Sequence, residues 1–282
     1  MRTAGRRTRA VRWGTTLVAV GAAAGLGTGT AAAATTDTVV SYDFEPVVGA
    51  DATQTVLMNG GDASVTTSVV SANDGTVDSV ASRATQGSAV QFPAFDSSVG
   101  GKRAVVKVVN STRTDVLAPG SRDFSWSADF ALDAASESHL RGSYDNGNNI
   151  FQRGLFNDTQ FKLDADGRQP SCRLRGSTGS AGAVRVQAPL LVDAGQWYHA
   201  TCTRSANTLS IFVQSFDADG NVTGEWSRSA TSSRGFGTLS WLKTGTPVTI
   251  GGKLSATGKL PSGSTDQFNG VVDNAVLRFV ND

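Results

Sequence analysis

The chain has few of the side chains that most often carry catalysis or bind metals. Its 282 residues include two histidines, two cysteines and three glutamates. The histidines, His139 and His199, form no ligand spacing with the cysteines that would suit a zinc site. The G-x-S-x-G, H-E-x-x-H and P-loop motifs do not occur either. These absences argue against the commonest hydrolase, metalloprotease and nucleotide-binding chemistries.

Long apolar runs are also scarce. One stretch, from about residue 17 to 30, is short for a bilayer span and rich in Gly and Thr. Four alanines follow this stretch, and five arginines precede it: Arg2, Arg6, Arg7, Arg9 and Arg12. This arrangement is typical of a secretory signal peptide with an A-x-A cleavage site. We therefore predict that residues 1–34 are removed on export, by the Sec or the twin-arginine route, and that the mature protein is extracellular.

Positive charge is not concentrated anywhere in the mature part. Removing the five leader arginines leaves 20 Lys and Arg against 24 Asp and Glu, a net charge of −4. No Lys/Arg cluster follows Arg12. Nucleic acids and anionic membranes both need a basic surface, so neither is expected as a partner.

The two cysteines, Cys172 and Cys202, both lie in the mature part. In an oxidising compartment an isolated pair is most simply a disulfide. This bond would close a loop of about 30 residues and stabilise the fold by roughly 3–4 kcal/mol in the chain-entropy model.

Apolar and polar residues alternate with period two through most of the mature chain. In the clearest case every second residue from Phe124 to Leu132 is apolar. This pattern predicts half-buried strands, and about a dozen of them point to a two-sheet sandwich with one core. Residues 45–85 remain open between edge strands and a strand-poor insertion. Besides that clearest case, the predicted strands lie at about 39–44, 64–70, 87–92, 103–109, 148–153, 160–164, 170–175, 183–188, 196–204, 209–213, 247–251 and 271–280.

Six short motifs follow one another in the second half of the chain. They are Gln152-Arg153-Gly154, Gln160-Phe161-Lys162, Trp197 to Cys202, Leu209 to Val213, Ile250-Gly251-Gly252 and Phe268 to Asn274. Their order resembles a laminin G-like domain of the concanavalin A-like lectin/glucanase superfamily, of a secreted bacterial type. The resemblance implies an all-β, two-sheet antiparallel jelly-roll sandwich that spans residues 35–282 as a single domain. One departure is the hairpin after Val213, which is longer than the family's short turn.

Catalysis has little support. The superfamily includes glycoside hydrolases, which need two carboxylates flanking the scissile bond. The glucanases of this fold carry them as E-x-D-x-E on one strand, but Glu45, Glu137 and Glu225 lie in no such motif. We interpret Asp129 as a solvated strand residue and His199 as structural, and we predict no catalytic residues.

Two D-A-D-G sequences, Asp164 to Gly167 and Asp217 to Gly220, resemble the start of a calcium loop. Neither continues with the spaced acids of an EF-hand. Because each follows a strand pattern, we interpret both as hairpin turns.

The resemblance implies a different calcium site, where the first and last strands meet. Its ligands would be Glu45 and Asp273, and one structural Ca²⁺ would be the only cofactor. Asp273 alternates with Val271, Ala275 and Leu277, so we expect its side chain to be partly buried. A buried carboxylate needs a cation or several donors.

Ligand binding is expected at the concave face or a loop rim. The segment from His139 to Asn149 is polar and glycine-rich. We predict ligand-binding roles there for Tyr144, Asn146 and Asn148, together with Trp226 of the long hairpin, because rings and amides suit sugars.

Basic side chains on neighbouring predicted strands allow two interpretations. They would form either a patch for an acidic sugar or an ordinary solvated sheet face. The residues are Arg153, Lys162, Arg173 and Arg175.

Three functions are compatible with these observations. The first is a monomeric, non-catalytic module that binds an extracellular glycan or cell-surface polymer, for which fold analogy is the warrant. The second is a glycoside hydrolase or polysaccharide lyase with non-standard acids. The third is a protein-interaction or structural module without a sugar site.

Overall fold

The period-two pattern becomes fifteen strands in the part of the chain that the structure describes. The structure is a computed structural model, and it describes residues 35–45, 57–83, 87–137, 144–241 and 245–281. The predicted signal peptide lies outside these residues. The strands are β1 Thr36–Tyr42, β2 Val65–Ala72, β3 Asp78–Ala81, β4 Ser88–Gln91, β5 Arg103–Asn110, β6 Phe124–Leu132, β7 Asn149–Arg153, β8 Gln160–Asp164, β9 Ser171–Arg175, β10 Val184–Gln187, β11 Trp197–Ser205, β12 Thr208–Phe216, β13 Val222–Thr231, β14 Val248–Ile250 and β15 Gly270–Val280.

The strands form two antiparallel sheets. The first has the order β13-β12-β11-β6-β15-β4-β3, with β1 also paired to β15, and the second has the order β10-β9-β8-β7-β14-β5-β2. Three 3₁₀ turns are also present, at Ala134–Glu137, Asp166–Arg168 and Gly179–Ala181. This confirms the predicted all-β, two-sheet antiparallel jelly-roll sandwich. No helix in the described ranges is long and apolar enough to cross a membrane.

The core lies between the sheets, where the inward faces of both meet. From the first sheet, Phe124 and Trp126 of β6 are buried there, and from the second sheet so is Phe161 of β8. The ring centroids of Trp126 and Phe161 are 5.3 Å apart, and those of Phe124 and Phe161 are 5.6 Å apart. Burial stabilises each such side chain by roughly 1.5–3 kcal/mol, so these rings hold the two sheets together.

The predicted disulfide is confirmed. Cys172 lies on β9 of the second sheet and Cys202 on β11 of the first, with their Cα atoms 5.7 Å apart. Both are buried in the core. The bond therefore joins the two sheets covalently.

A bulge in β15 corrects one expectation from the sequence. The pairing register of β15 with β6 shifts between Asp273 and Val276, and Asn274 has a φ of 46°. A bulge inserts one extra residue and so moves the following side chains to the other face. As a result Ala275 and Leu277 face the core, while Asp273 lies opposite Asp129 on the outer face.

Two strands lacked a readable pattern in the sequence. β3 occupies part of the region 45–85, of which residues 46–56, 84 and 85 lie outside the described ranges. β13 is the edge strand of the first sheet and is largely exposed, so it does not need alternating apolar residues. The long hairpin predicted after Val213 is the β12–β13 pair.

The disulfide gives the first testable prediction. Replacing both cysteines (Cys172→Ala with Cys202→Ala) is expected to lower the free energy of unfolding by about 3–4 kcal/mol, because the unfolded chain regains the freedom of a loop of 30 residues. Urea unfolding of the mature protein measures this difference. Reduced wild type is the control and should unfold near the double variant; equal midpoints for oxidised and reduced wild type would contradict the prediction.

Candidate functional site

The outer face of β7 to β10 carries polar side chains although much of it is buried. The cross-strand register places Gln152, Lys162, Arg173 and Arg185 in one row. Adjacent positions on the same strands, such as Leu163, point into the core. Since side chains alternate along each strand and the inner face packs in the core, the outward positions form a polar row across four strands.

Ion pairs organise the middle of this row. Nζ of Lys162 lies 2.5 Å from Oδ2 of Asp164 and 3.7 Å from Oδ2 of Asp166. The other oxygen of Asp164 accepts a hydrogen bond from Ser171 Oγ at 2.5 Å. Burial lowers the pKa of Lys162, but the charges of Asp164, Asp166 and Asp266 outweigh it, so the pKa is raised. Lys162 is therefore a charged residue held among carboxylates.

The first D-A-D-G sequence is the turn between β8 and β9, as predicted. It forms a 3₁₀ turn in which Gly167 has a φ of 61°. The turn returns Asp166 to the cleft side, where the main-chain N–H of Asn148 donates to its Oδ1 at 2.7 Å. Burial, followed by the charge of Asp164, raises the pKa of Asp166 to about 6. The second sequence, Asp217 to Gly220, joins β12 to β13 as a turn.

A cleft of about 370 Å³ opens beside this polar row. Loop residues 253–266 and 155–158 contribute its other walls. A second hollow of about 330 Å³ shares Leu155, Asp158 and Leu254 with it, so the two hollows lie side by side. The side chains of the cleft that matter most for chemistry are Asn149, Gln152, Phe156, Gln160, Lys162, Lys253 and Asp266.

Amide groups form one wall of the cleft. Asn149 Nδ2 donates to Gln152 Oε1 at 2.9 Å and to Asp266 Oδ2 at 3.4 Å. Asn149 is 1% exposed, and its Oδ1 has no hydrogen-bond partner among the described residues. A buried polar atom without a partner costs about 1–3 kcal/mol.

Lys253 and Asp266 form a second charged pair at the cleft. Nζ of Lys253 lies 2.9 Å from Oδ2 of Asp266 and 3.2 Å from Oγ of Ser264. Burial raises the pKa of Asp266, but Lys253, Ser264 and Lys162 outweigh it and lower the pKa overall. Near pH 6, Asp266 is therefore ionised, whereas Asp166 is protonated in part of the molecules.

Phe156 is the exposed aromatic residue of the cleft. The residue is 67% exposed, and its ring centroid lies 4.1 Å from the guanidinium carbon of Arg173. Its carbonyl oxygen accepts hydrogen bonds from Arg173 Nη2 and Arg175 Nη1, both at 3.0 Å. The loop begins at Gly154, which has a φ of 80° and whose Cβ would lie 1.9 Å from Thr159 O, so only glycine fits.

Phe156 was not among the ligand residues predicted from the sequence. It lies in the loop sequence L-F-N-D-T between two strands, where periodicity offers no signal. The one feature that could have indicated a binding role is that Phe156 is a large apolar residue among residues that favour turns.

The predicted ligand residues fall in two separate places. Oδ1 of Asn146 accepts a hydrogen bond from Ser264 Oγ, which places Asn146 next to the Lys253–Asp266 pair. Asn148 is buried and its Oδ1 accepts from Ser136 Oγ at 2.9 Å, so its side chain supports the loop.

The other two predicted ligand residues, Tyr144 and Trp226, lie in different parts of the structure. The main-chain oxygen of Tyr144 accepts from Thr265 N at 2.8 Å, which keeps Tyr144 with Asn146 and Asn148. Trp226 lies on edge strand β13 of the first sheet, opposite Val213, and packs against the core. The structure thus groups the three loop residues near the cleft but places Trp226 on the other sheet.

The interpretation of Asp129 as solvated is wrong, because the residue is 1% exposed and its carboxylate is fully engaged. It is met by Arg83 Nη2 at 3.0 Å, His199 Nδ1 at 2.5 Å and Asn274 Nδ2 at 3.0 Å. Burial raises its pKa, but the hydrogen bond and charge of His199, with Asn274 and Arg83, lower it overall. Arg83 comes from a segment 46 residues away and so gave no local signal.

Asp273 is buried at the junction of β1, β4 and β15. Its Oδ2 accepts from Ser82 Oγ at 2.5 Å and its Oδ1 from Asn274 N at 2.7 Å. Glu45 accepts from Ser88 N at 2.8 Å. Both oxygens of Asp273 are used by protein donors, an arrangement that suits a hydrogen-bonded carboxylate better than a calcium ligand.

The calcium site nevertheless remains a prediction. In the described part of the chain, no group of three or more His, Cys, Asp or Glu could hold a metal ion. Burial raises the pKa of Asp273 to about 6, and the charges of Asp129 and Glu45 add to this. A bound cation would have the opposite effect and keep the carboxylate ionised.

Comparisons with known proteins give the fold. No protein-family model and no curated protein sequence matches the chain. The structure described as "Binding domain of Botulinum Neurotoxin DC in complex with SialylT" matches with a TM-score of 0.52 and 11% identity, over 87% of this chain and 49% of that one. A botulinum neurotoxin type C structure, from work on its interaction with two ganglioside molecules, matches with a TM-score of 0.51 and 11% identity, over 87% and 49%.

These likenesses support a lectin-like jelly-roll fold. The chain spans about half the length of the toxin structures that it matches. The LG1-3 region of the laminin α2 chain also matches, with 12% identity over 55% of this chain and 27% of that one. Its TM-score of 0.40 carries no argument, so the laminin G-like family stays a prediction.

The raised pKa of Asp273 predicts a pH dependence of stability. The unfolded chain holds this proton with a pKa of about 3.9, and the folded chain holds it with a pKa of about 6. The contribution of Asp273 to stability is therefore lost as pH rises from about 4 to about 6. Asp273→Asn should gain about 1–3 kcal/mol on wild type over this range, by urea unfolding in EGTA.

A second substitution at the same site is the control. Ser82→Ala keeps the acid and removes a donor that lowers its pKa, so its loss of stability should continue above pH 6. A constant difference between Asp273→Asn and wild type from pH 4 to pH 6.5 would contradict the assignment.

Calcium binding at the junction has its own test. If Glu45 and Asp273 hold calcium, millimolar CaCl₂ should raise the melting temperature at pH 7 relative to EGTA, because the ion binds the folded state only. Glu45→Gln and Asp273→Asn should abolish the rise, whereas Asp217→Asn in the β12–β13 turn should keep it. A melting curve unmoved by both calcium and chelator would count against the site.

Proposed function

We propose that the mature chain is an extracellular, non-catalytic carbohydrate-binding module that holds a glycan in the cleft above β7 and β8. The fold supports this class, since the two toxin structures are described with SialylT and with ganglioside molecules. At 11% identity that likeness speaks for the fold alone. The functional argument therefore comes from the cleft.

The cleft offers the two kinds of contact that sugars use. Sugar rings present apolar C–H faces that stack on aromatic rings, and hydroxyls that pair with amides and carboxylates. Phe156 supplies an exposed ring, while Asn149, Gln152 and the Lys253–Asp266 pair supply donors and acceptors. A cleft of about 370 Å³ has the volume of a small-ligand site.

One observation carries the proposal. The buried Oδ1 of Asn149 has no partner among the described residues, and it belongs to the same cleft as the exposed ring of Phe156. Buried amides are normally satisfied and large aromatics are normally covered. A hydroxylated ring would cover the aromatic and hydrogen-bond the accessible polar groups that line the cleft, such as the Lys253–Asp266 pair.

Secretion and the monomeric state belong to the same proposal. The arginine-rich leader with its alanine cleavage site supports export. The core disulfide is consistent with an oxidising compartment.

A glycoside hydrolase or lyase is the second candidate, and one observation favours it. The environments of Asp166 and Asp266 push their pKa values apart, the first to about 6 and the second below its usual range. Pairs of carboxylates with such a split act as acid and base in glycosidases. Both belong to the charge cluster of Lys162 at the cleft.

Binding and product release on a polysaccharide array separate these candidates. Mature wild type should bind at least one polysaccharide and release no reducing ends. Phe156→Ala and Gln152→Ala should each weaken binding about tenfold, because they remove a stacking surface and an amide contact. Val222→Ala removes an exposed apolar side chain from edge strand β13 and should bind as wild type does.

Other outcomes lead elsewhere. Product release that Asp266→Asn abolishes would establish the enzyme instead. Absence of binding to every polysaccharide would favour a protein-interaction or structural module. Binding lost in Trp226→Ala but kept in Phe156→Ala would move the site to the first sheet.

A further inference from the structure

We infer that the glycan is anionic and that Arg173, Arg175 and Arg185 bind its acid group. This inference rests on the proposed function and names the ligand class for the same cleft. The recognised chemistry is an oxyanion, which a sugar carboxylate or a sulfate ester would each supply.

The three arginines form one cationic surface on the outer face of the second sheet. Arg173 lies directly opposite Arg185 in the β9–β10 register, and Arg175 lies two positions along β9 on the same face. Arg175 also lies opposite Gln160, a residue of the cleft. The surface therefore continues from the cleft wall toward the edge of the sheet.

Neutral acceptors, not carboxylates, hold two of these guanidinium groups. Arg173 donates to Gln160 Oε1 and to the main-chain oxygen of Phe156, and Arg175 donates to that same oxygen. Neither is joined to a carboxylate by any ion pair within the described residues. Arg185 approaches Asp164 Oδ1 at 3.4 Å, but Lys162 already lies 2.5 Å from the other oxygen of that carboxylate.

The arginine surface and its neighbours carry more cations than carboxylates. Lys162 and the three arginines are four cations, whereas Asp164 and Asp166 are the two carboxylates among them. The Lys253–Asp266 pair is neutral as a unit. Asp158, at the shared wall of the two hollows, is exposed and forms no described ion pair with the arginines. The surface thus carries about two uncompensated positive charges on a mature chain whose net charge is −4.

Burial makes this excess costly. Arg173 is 8% exposed, and a buried cation without a carboxylate partner is destabilising. Burial lowers the pKa of Arg173, and Arg175 and Arg185 lower it further. An oxyanion ligand would compensate the charge and could accept two parallel hydrogen bonds from a guanidinium fork.

The exposed aromatic ring of Phe156 and the positive charge of Arg173 lie in direct contact. The guanidinium of Arg173 lies 4.1 Å from the ring centroid of Phe156, a residue that is 67% exposed. A sugar stacked on Phe156 would therefore carry its acid group within reach of the arginine surface. This coupling of stacking and charge distinguishes an acidic sugar from a neutral one.

The test compares three polymers that differ in charge. Binding of the mature protein to polygalacturonate, dextran sulfate and dextran is measured by isothermal titration at 50 and 300 mM NaCl. Wild type should bind at least one anionic polymer at least tenfold more tightly than dextran, and the higher salt should weaken this binding. Polygalacturonate alone identifies a carboxylate, dextran sulfate alone a sulfate ester, and both together an unselective oxyanion site.

Variants then locate the contact. Arg175→Gln and Arg185→Gln, which change less buried residues, should each weaken anionic binding about tenfold. Arg173→Lys keeps the charge but loses the fork and should weaken it as well. Arg228→Gln, on exposed edge strand β13, is the matched control and should bind as wild type does.

Two results overturn the inference in different ways. Equal affinity for dextran and the anionic polymers rejects the anionic ligand, and unchanged binding in Arg175→Gln and Arg185→Gln rejects the arginine surface as its site; both results leave the glycan-binding proposal standing. Absence of binding to all three polymers and to every polysaccharide of the array rejects both.

Discussion

The packing of one sheet on the other is the constraint on which the remaining features depend. Phe161 of β8 must face inward, against Trp126 and Phe124 of β6, and Leu163 must lie in the same core, to exclude water. Since side chains alternate along a strand, Gln160, Lys162 and Asp164 are forced outward. The polar row of the cleft and the core side chains of β8 therefore lie on opposite faces of the same strand. A shift in the pairing register would move both sets of side chains.

The outer face of the second sheet is unusual because it is polar and yet largely buried. Loops containing Phe156 and Lys253 rise beside it and turn a sheet surface into a cleft. Buried polar groups are tolerated when they are satisfied, and Asp164 meets this condition through Lys162 and Ser171. Asn149 Oδ1 and the arginine surface do not meet it within the described residues. A cleft with a few placed polar groups, where a local rule is broken, is a candidate binding site.

Much of the scaffold could be read from the sequence. The alternation from Phe124 to Leu132, the pairing of Cys172 with Cys202 and the two D-A-D-G turns all follow from local pattern or simple counting. Strand β13 could not be read, because it is largely exposed and its apolar residues do not alternate regularly. The bulge at Asn274 could not be predicted either, because one residue in the left-handed conformation shifts the strand register without any sign in the amino-acid composition.

The candidate site was less predictable than the scaffold, for a physical reason. A cleft arises where loops distant in sequence converge, as Asn149 and Asp266 do across 117 residues. The ligand-binding role predicted for the polar loop with Tyr144, Asn146 and Asn148 stays a prediction, and the side chain of Asn148 supports the loop from within. Phe156 had no periodic signal, and the partners of Asp129 came from separate strands and loops.

The most direct measurement of the central claim is backbone amide chemical-shift mapping of the mature protein during titration with an acidic oligosaccharide. The account predicts that the perturbed amides lie in residues 149–162, 171–187 and 253–266, around the cleft and the arginine surface. Perturbations confined to strands β11 to β13 of the first sheet, with the amides of Asn149, Phe156 and Lys162 unmoved, would contradict it.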